Sequence, residues 1–315
     1  MRGTHAPPLG TAISVVLAVS LLACGEDDNG STTSEAATLP ETGPSDAATV
    51  ATVTGPLIHL VVLGDAVSST EACPTCTGFV EQYAEHLEAA TGRPVEVADR
   101  SRTDTAGLLD IEEQVSGEER LREQLAGAHI VIVSVGANDV MPDAAAAGLL
   151  RKRRGGDWGC GGDMGSTVKS YSAWALATTP DCLETGRMAF LGLYDSVFAT
   201  VRELRGWQPT VRIALNTYDP NLYAADYLAA GLDQQTLDRL WPWMTALYDD
   251  WNRMECGRAS SNYFTCVDLY HAINGSAGDQ PLGDLSIDGT HPSQAGHDRI
   301  AALLVDLDLR PGLVP

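Results

Sequence analysis

The chain has 315 residues, 44% of them apolar and 20% charged, as in an ordinary globular protein with a full core. Its formal net charge is -22 at pH 7. A surface this acidic repels nucleic acid and anionic lipid headgroups, so the composition argues against DNA or RNA as a partner and against a basic membrane-surface helix.

The first 24 residues have the pattern of a bacterial lipoprotein signal peptide. A short apolar run from Thr11 to Ala23 follows Arg2 and is too short to span a membrane, which is typical of a secretory h-region. Leu-Leu-Ala before Cys24 resembles a lipobox, in which Cys24 becomes the lipid-bearing first residue; the alternative is plain secretion with Cys24 discarded. We expect an exported cell-envelope lipoprotein on the outer face of a membrane, or a secreted protein if lipidation fails.

Residues 25–56 predict a flexible tether, because they are rich in small, polar and acidic residues and contain almost no large apolar side chain. The folded domain is then expected over residues 57–315. It contains six cysteines, and the sequence alone does not select among their pairings. We predict local disulfides, which are the default outside the cytoplasm. The predicted pairs are Cys73 with Cys76, Cys160 with Cys182, and Cys256 with Cys266.

Short apolar runs alternate with helical patterns through the rest of the chain. The runs predict strands at 57–63, 94–98, 129–135, 210–215 and 263–269. Helical spacing predicts helices at 78–90, 108–125, 183–204, 233–255 and 292–307, with Pro242 kinking or splitting the fourth. Strand–helix alternation indicates parallel strands joined by helical crossovers, hence a three-layer α/β domain whose ligands bind at the carboxyl edge of the sheet.

Three polar turns follow strands or precede the last helix, and the predicted fold brings them to that edge. They are Gly64-Asp65-Ala66, Gly136-Ala137-Asn138-Asp139 and Asp288-Gly289-Thr290-His291. An Asp three residues before a His can hydrogen-bond the imidazole and hold it as a general base. An Asn amide beside a glycine turn can donate to a developing oxyanion. The nucleophile that these parts would serve is missing.

These turns resemble the sequence blocks of the SGNH, or GDSL-type, hydrolase superfamily. LGDAVSS resembles the first block, GAND the third, and DGTHPSQAGH the last block with its Asp-x-x-His. The resemblance runs from Leu57 to the C-terminus. It implies a three-layer α/β/α sandwich with a mainly parallel, flavodoxin-like sheet. It also implies an esterase or lipase acting on carboxylic ester or O-acyl groups, with no metal or other cofactor.

The resemblance also implies roles for individual residues. His291 would be the general base, Asp288 its orienting partner, and Asn138 an oxyanion donor. The backbone N–H of Ala66 would be a second donor, although the nucleophilic serine of the family falls on this position and is alanine here. The supporting turn residues would be Gly64, Asp65 and Gly136. The second-block glycine is poorly matched and falls near Ser101-Arg102 or Gly107.

Two alternatives to this assignment are present in the sequence. Ser68 and Ser69 follow position 66 closely, but we expect their side chains to point away from it in a strand-to-helix turn. A second Asp-x-x-His, Asp268 to His271, also follows a strand. The later pair is favoured because its Thr-His-Pro leads into a C-terminal helix, as in the last block of the family.

Three functions are compatible with these residues. The chain is a crippled ester hydrolase, a non-catalytic surface-tethered protein that binds acyl esters or acetylated glycans, or an enzyme in which His291 activates water directly. Because Asp288, His291 and Asn138 are all retained, the first is favoured. We expect a monomer that acts on a small-molecule or glycan ester and is anchored to the membrane through Cys24.

Overall fold

The computed structural model describes residues 55–102, 107–140, 180–220, 228–229 and 231–307. All of them belong to one compact unit, Val50–Pro315. None of the helices in these ranges combines the length and the apolar character needed to cross a membrane.

The described strands form a five-stranded sheet in which every neighbouring pair is parallel. The strands are β1 (Ile58–Gly64), β2 (Val95–Asp99), β3 (Ile130–Ser134), β4 (Val211–Leu215) and β5 (Thr265–Val267). Their order, β2-β1-β3-β4-β5, is the flavodoxin-like order. After β1 the chain forms β2 on one edge of β1, and it later returns to pair with the opposite edge of β1 as β3. Gly64 and Ser134 are in register there, so the turns that follow β1 and β3 are neighbours.

Helices cover both faces of the sheet. They are α1 (Phe79–Thr91), α2 (Leu108–Gly117), α3 (Glu119–Gly127), α4 (Ala137–Val140), α5 (Pro180–Arg205), α6 (Gln234–Ser261), α7 (Leu269–Asn274) and α8 (Gln294–Asp306), with a 3-10 turn at Gly283–Leu285. Alternate β1 side chains point to opposite faces. Leu60 and Val62 pack with α1 and α8, whereas Val61 and Leu63 pack with α2, α3, α5 and α6. The expected three-layer α/β/α architecture is therefore confirmed.

The predicted elements differ from the structure near β5 and in α6. The apolar run at 263–269 contains a strand of only three residues. Before it α6 continues to Ser261, and after it the Asp268 side chain accepts the N–H of His271 and so begins α7. A split of this helix at Pro242 is wrong, since α6 continues through it. Pro242 lies on the exposed side of the helix, where water can satisfy the carbonyl that loses its intrahelical partner.

Two of the three predicted disulfides are confirmed. Cys73 is bonded to Cys76 in the connection between β1 and α1, and Cys256 in α6 is bonded to Cys266 in β5. The predicted Cys160–Cys182 pair lies outside the described residues.

Candidate active site

The turn after β1 is tied to the turn after β3 by one buried carboxyl group. Asp65 accepts hydrogen bonds from the backbone N–H groups of Val67 at 3.0 Å, Gly136 at 3.2 Å and Ala137 at 3.1 Å. Burial raises the pKa of Asp65 to about 6, and these N–H groups oppose the rise. Asp65 therefore holds the two strand-end turns against each other.

Ala66 follows Asp65 and is half-buried at the carboxyl edge of the sheet. Its side chain and that of His291 line the same cavity of about 220 Å³, together with Ser69, Glu71 and Ala72. The backbone N–H of Ala66 has no hydrogen-bond partner among the described residues. The structure thus brings the predicted nucleophile position and the predicted base, 225 residues apart in the chain, to one small cavity.

His291 is held by Asp288 through both its ring and its backbone. The Nδ1 atom lies 2.6 Å from Asp288 Oδ2, and the backbone N–H of His291 donates to Oδ1 at 2.8 Å. Burial raises the pKa of Asp288, but these bonds and the N–H of Thr290 outweigh it and hold the pKa below its ordinary value. Tyr218 fixes the same loop by donating its hydroxyl to the carbonyl of Thr290 at 2.6 Å. An ionised Asp288 places the imidazole proton on Nδ1 and leaves Nε2 as a base.

The turn after β3 has a backbone that only glycine adopts readily. Gly136 has a φ of 138°, and a Cβ atom there would lie 2.5 Å from the hydroxyl of Tyr194. Asp139, in the short helix α4 that follows, accepts the N–H of Leu108 at 2.8 Å, which fastens α2 to this edge. Asn138 lies in α4, and the predicted role of its side-chain amide falls outside what the structure describes.

Neither position proposed for the second-block glycine offers an unused N–H. The N–H of Arg102 donates to the carbonyl of Gly64 at 3.0 Å, and that of Gly107 donates to Asp110 at 3.0 Å. Gly107 is nevertheless required for close packing, because a Cβ there would lie 2.5 Å from Asp139 Oδ1. Of the predicted oxyanion donors, the structure therefore shows the position of the backbone N–H of Ala66.

The two serines after Ala66 lie on different sides of the turn. Ser68 is 2% exposed, with its Oγ against Gly64, and that Oγ has no hydrogen-bond partner in the described part of the chain. Ser69 lines the cavity with Ala66 and His291. The expectation that both side chains point away holds for Ser68 and is wrong for Ser69. The reason is that the turn is closed by hydrogen bonds between residues three apart, Ser68 to Asp65 and Ser69 to Ala66, a spacing that brings such residues toward one face.

The second Asp-x-x-His pair has the same internal geometry as the first. His271 Nδ1 lies 2.6 Å from Asp268 Oδ2, and Asn216 donates to Asp268 Oδ1 at 3.1 Å. His271 lines a separate and larger cavity of about 930 Å³ beside α6, and neither Ala66 nor His291 lines it. Bond length does not separate the two pairs, whereas proximity to position 66 does.

A buried acid lies behind the turn after β3 and carries no sequence motif. Glu255 in α6 is fully buried, and its Oε2 lies 3.7 Å from the position a Cβ of Gly136 would take. Burial raises the pKa of Glu255 well above its ordinary value, and the charges of Asp65 and Asp139 raise it further. The signal in the sequence was only a Glu at the inward spacing of α6, after Tyr248 and Trp251.

A parallel sheet that presents a His–Asp pair beside a strand-end turn has the architecture of an enzyme that catalyses acyl transfer. The GDSL-like lipase/acylhydrolase family matches residues 62–299, and the chain belongs to this family. No match was found among the curated proteins.

The solved structures to which the chain is similar include two hydrolases. The lipase Lip_vut3 from a goat rumen metagenome is 16% identical, with a TM-score of 0.55, and the match covers 80% of this chain and 97% of that one. The acetylxylan esterase Axe2 from Geobacillus stearothermophilus is 17% identical, with a TM-score of 0.47 and coverage of 79% and 93%. At such low identity the likeness to the lipase speaks to the fold.

Proposed function

We propose that the chain is a carboxylic ester hydrolase of this family whose turnover is crippled because Ala66 occupies the nucleophile position. The observation that carries the proposal is the shared cavity of Ala66 and His291, with Asp288 holding the Nδ1 atom of His291. The site thus retains its base, the partner of the base and a backbone oxyanion donor, and lacks one oxygen atom.

The parent reaction follows from these positions. A serine hydroxyl at position 66 would attack the ester carbonyl while its proton moves to Nε2 of His291. Asp288 would stabilise the imidazolium, and the N–H of residue 66 would donate to the oxyanion. His291 would then protonate the departing alcohol and activate water to release the acid. In a serine protease, loss of a triad member leaves a residual rate of roughly 10³ to 10⁴ over water. We expect a comparable remnant here.

The cavity favours a small acyl group. Its volume of about 220 Å³ lies below the range of roughly 300 to 1,000 Å³ typical of pockets for drug-sized ligands. The carboxylate of Glu71 on its wall disfavours anionic acyl groups by repulsion. Together with the lipobox at Cys24, this supports a surface-anchored protein acting on short-chain esters outside the cell.

A non-catalytic binding protein is the second candidate, and the alanine itself favours it. Ala66 removes the atom needed for turnover and leaves the cavity and its polar wall in place. Such a protein would bind acyl esters or acetylated glycans without cleaving them.

Hydrolysis of short p-nitrophenyl esters by the full chain and by its Ala66→Ser variant separates the two. We expect the serine variant to gain roughly 10³-fold or more in kcat/KM. His291→Ala in that background should abolish the gain, whereas His271→Ala should retain it. If the serine variant is folded and remains inactive on the ester series, the hydrolase proposal fails and the binding protein is favoured.

A further inference from the structure

Ser69 lies three residues beyond the nucleophile position and lines the same cavity as Ala66. The N–H of Ser68 donates to the carbonyl of Asp65 at 3.2 Å, and that of Ser69 donates to the carbonyl of Ala66 at 3.3 Å. In such a turn the side chains three residues apart are eclipsed, and three residues rise by about 6 Å. The surroundings agree, since Ser68 is buried beside Asp65 while Ser69 shares the cavity of Ala66.

The hydroxyl group of Ser69 is arranged to give up its proton. Its Oγ accepts the backbone N–H of Glu71 at 3.1 Å, so the oxygen is used as an acceptor and its own proton stays available. A hydrogen bond donated to this oxygen also stabilises the negative charge that develops on it during proton loss. Of the residues that line the cavity, Ser69 alone carries a hydroxyl.

A base for that proton lines the same small cavity. Asp288 engages Nδ1 of His291, which leaves Nε2 for proton transfer. His291 therefore has the same cavity in common with two positions of the turn, Ala66 without an oxygen and Ser69 with one.

We propose that Ser69 is the nucleophile for the residual ester hydrolysis of this chain, an inference that rests on the proposed function. Ser69 Oγ attacks the ester carbonyl carbon as its proton passes to Nε2 of His291. The bond from that carbon to the alcohol oxygen breaks, and His291 protonates the leaving alcohol. Water, deprotonated by His291, then attacks acyl-Ser69, and the proton returns to Ser69 as the carboxylic acid leaves.

The displacement by one turn accounts for a slow reaction. The N–H of Ala66 belongs to the residue that would carry the parent nucleophile. An oxyanion formed by attack of Ser69 therefore lies farther from this N–H donor than one formed by attack of a serine at position 66. Since a misplacement of about 1 Å at a reacting centre can cost about 10²-fold, we expect acyl-Ser69 to form and turn over well below the rate of the Ala66→Ser variant.

The test uses the full chain with Ala66 in place, p-nitrophenyl acetate as substrate, and three variants: Ser69→Ala, Ser68→Ala and His291→Ala. Ser68 is the matched control, because its buried Oγ makes no hydrogen bond in the described part of the chain. Thermal unfolding of each variant verifies that it is folded. In parallel, the chain is incubated with a fluorophosphonate ester, and the modified residue is identified by peptide mass spectrometry.

We expect Ser69→Ala to lower the residual rate to that of His291→Ala, Ser68→Ala to keep the rate, and the label to be on Ser69. A residual rate that survives Ser69→Ala, a label on another residue, or no activity above buffer would overturn the inference. Any of these three contradicting results leaves the proposed function standing if Ala66→Ser is active. Inactivity of Ala66→Ser is the separate result that defeats the proposed function.

Discussion

The two Asp-x-x-His pairs test whether local geometry or location makes a catalytic base. In both, the carboxylate lies 2.6 Å from Nδ1 and also accepts the backbone N–H of the same histidine. They differ in what the histidine meets on its other side. His291 shares a cavity with Ala66, while His271 shares one with Trp241 and Asp249.

In the Ala66→Ser background we predict that Asp288→Asn lowers kcat by about 10² to 10⁴-fold, because an amide partner favours the wrong imidazole tautomer and cannot stabilise the imidazolium. Asp268→Asn is the matched control, since asparagine also caps a helix well. It should leave kcat essentially unchanged, because His271 does not line the cavity of Ala66. Steady-state kinetics on p-nitrophenyl acetate measures both, and equal losses would show that the active base has been misassigned.

Site residues could be predicted from the sequence when the residues that contact one another are close together in the chain. Asp288 and His291 are three residues apart, so a single turn brings them together and the pattern reveals it. Ser69 was missed because its direction depends on whether the turn is helical or 3-10, which two hydrogen bonds decide and no residue type marks. Glu255 was missed because its contacts with the turn of Gly136 come from distant parts of the chain.

Among the elements, the turn between β3 and α4 carries the most conformational constraint. The φ of 138° at Gly136 is unfavourable for a residue with a side chain, and the space where a Cβ would be is taken by the buried Tyr194 hydroxyl. Gly92 at the end of α1 has a φ of 65° and nothing within 4 Å of its Cβ position. Substitution of Gly92 would therefore introduce backbone strain alone, whereas substitution of Gly136 would introduce both strain and steric overlap.

We predict that Gly92→Ala costs about 1 kcal/mol of unfolding free energy, from backbone strain alone. Gly136→Ala should cost about 3 kcal/mol or more, since strain and overlap add. It should also lower the activity of the Ala66→Ser variant, because the N–H groups of Gly136 and Ala137 hold Asp65. Urea unfolding of both variants gives the comparison. A cost no larger for Gly136→Ala than for Gly92→Ala would mean that the turn readjusts freely.

The sequence predicted most elements because continuous apolar runs mark strands buried on both faces. β1 and β3 were found to within a residue or two at each end. The run at 263–269 misled because Leu269, which packs inward in α7, continues the apolar character past the end of β5. The boundary was set by a capping side chain and was invisible to hydrophobicity.

For the molecule as a whole, the net charge of -22 hides an unequal distribution of carboxyl groups. Composition favours a solvated acidic surface, yet Asp65, Asp139 and Glu255 are at most 2% exposed. They surround the turns that form the active-site edge. The charges of Asp65 and Asp139 raise the pKa of Glu255, and the charge of Asp65 also raises the pKa of Asp139. Burial raises the pKa of Asp139 to about 7, the N–H of Leu108 opposes this, and the charges of Asp65 and Asp110 add to it.

Because the folded-state pKa of Asp139 lies above its ordinary value of 3.8, folding favours the protonated acid. The stabilisation is fully present below about pH 4 and is lost as the pH rises to about 7. The shift corresponds to a loss on the order of 4 kcal/mol.

We predict that Asp139→Asn, which keeps an acceptor for Leu108, flattens the pH dependence of the unfolding free energy and makes the variant the more stable protein at pH 8. Glu119→Gln, at an exposed position of α3, controls for the change in net charge and should not alter the slope. Urea unfolding at pH 4.5, 6 and 8 measures the three proteins. If Asp139→Asn leaves the slope unchanged, or if the parent gains stability toward pH 8 relative to it, the carboxyl group of Asp139 is ionised in the fold and its pKa is not raised.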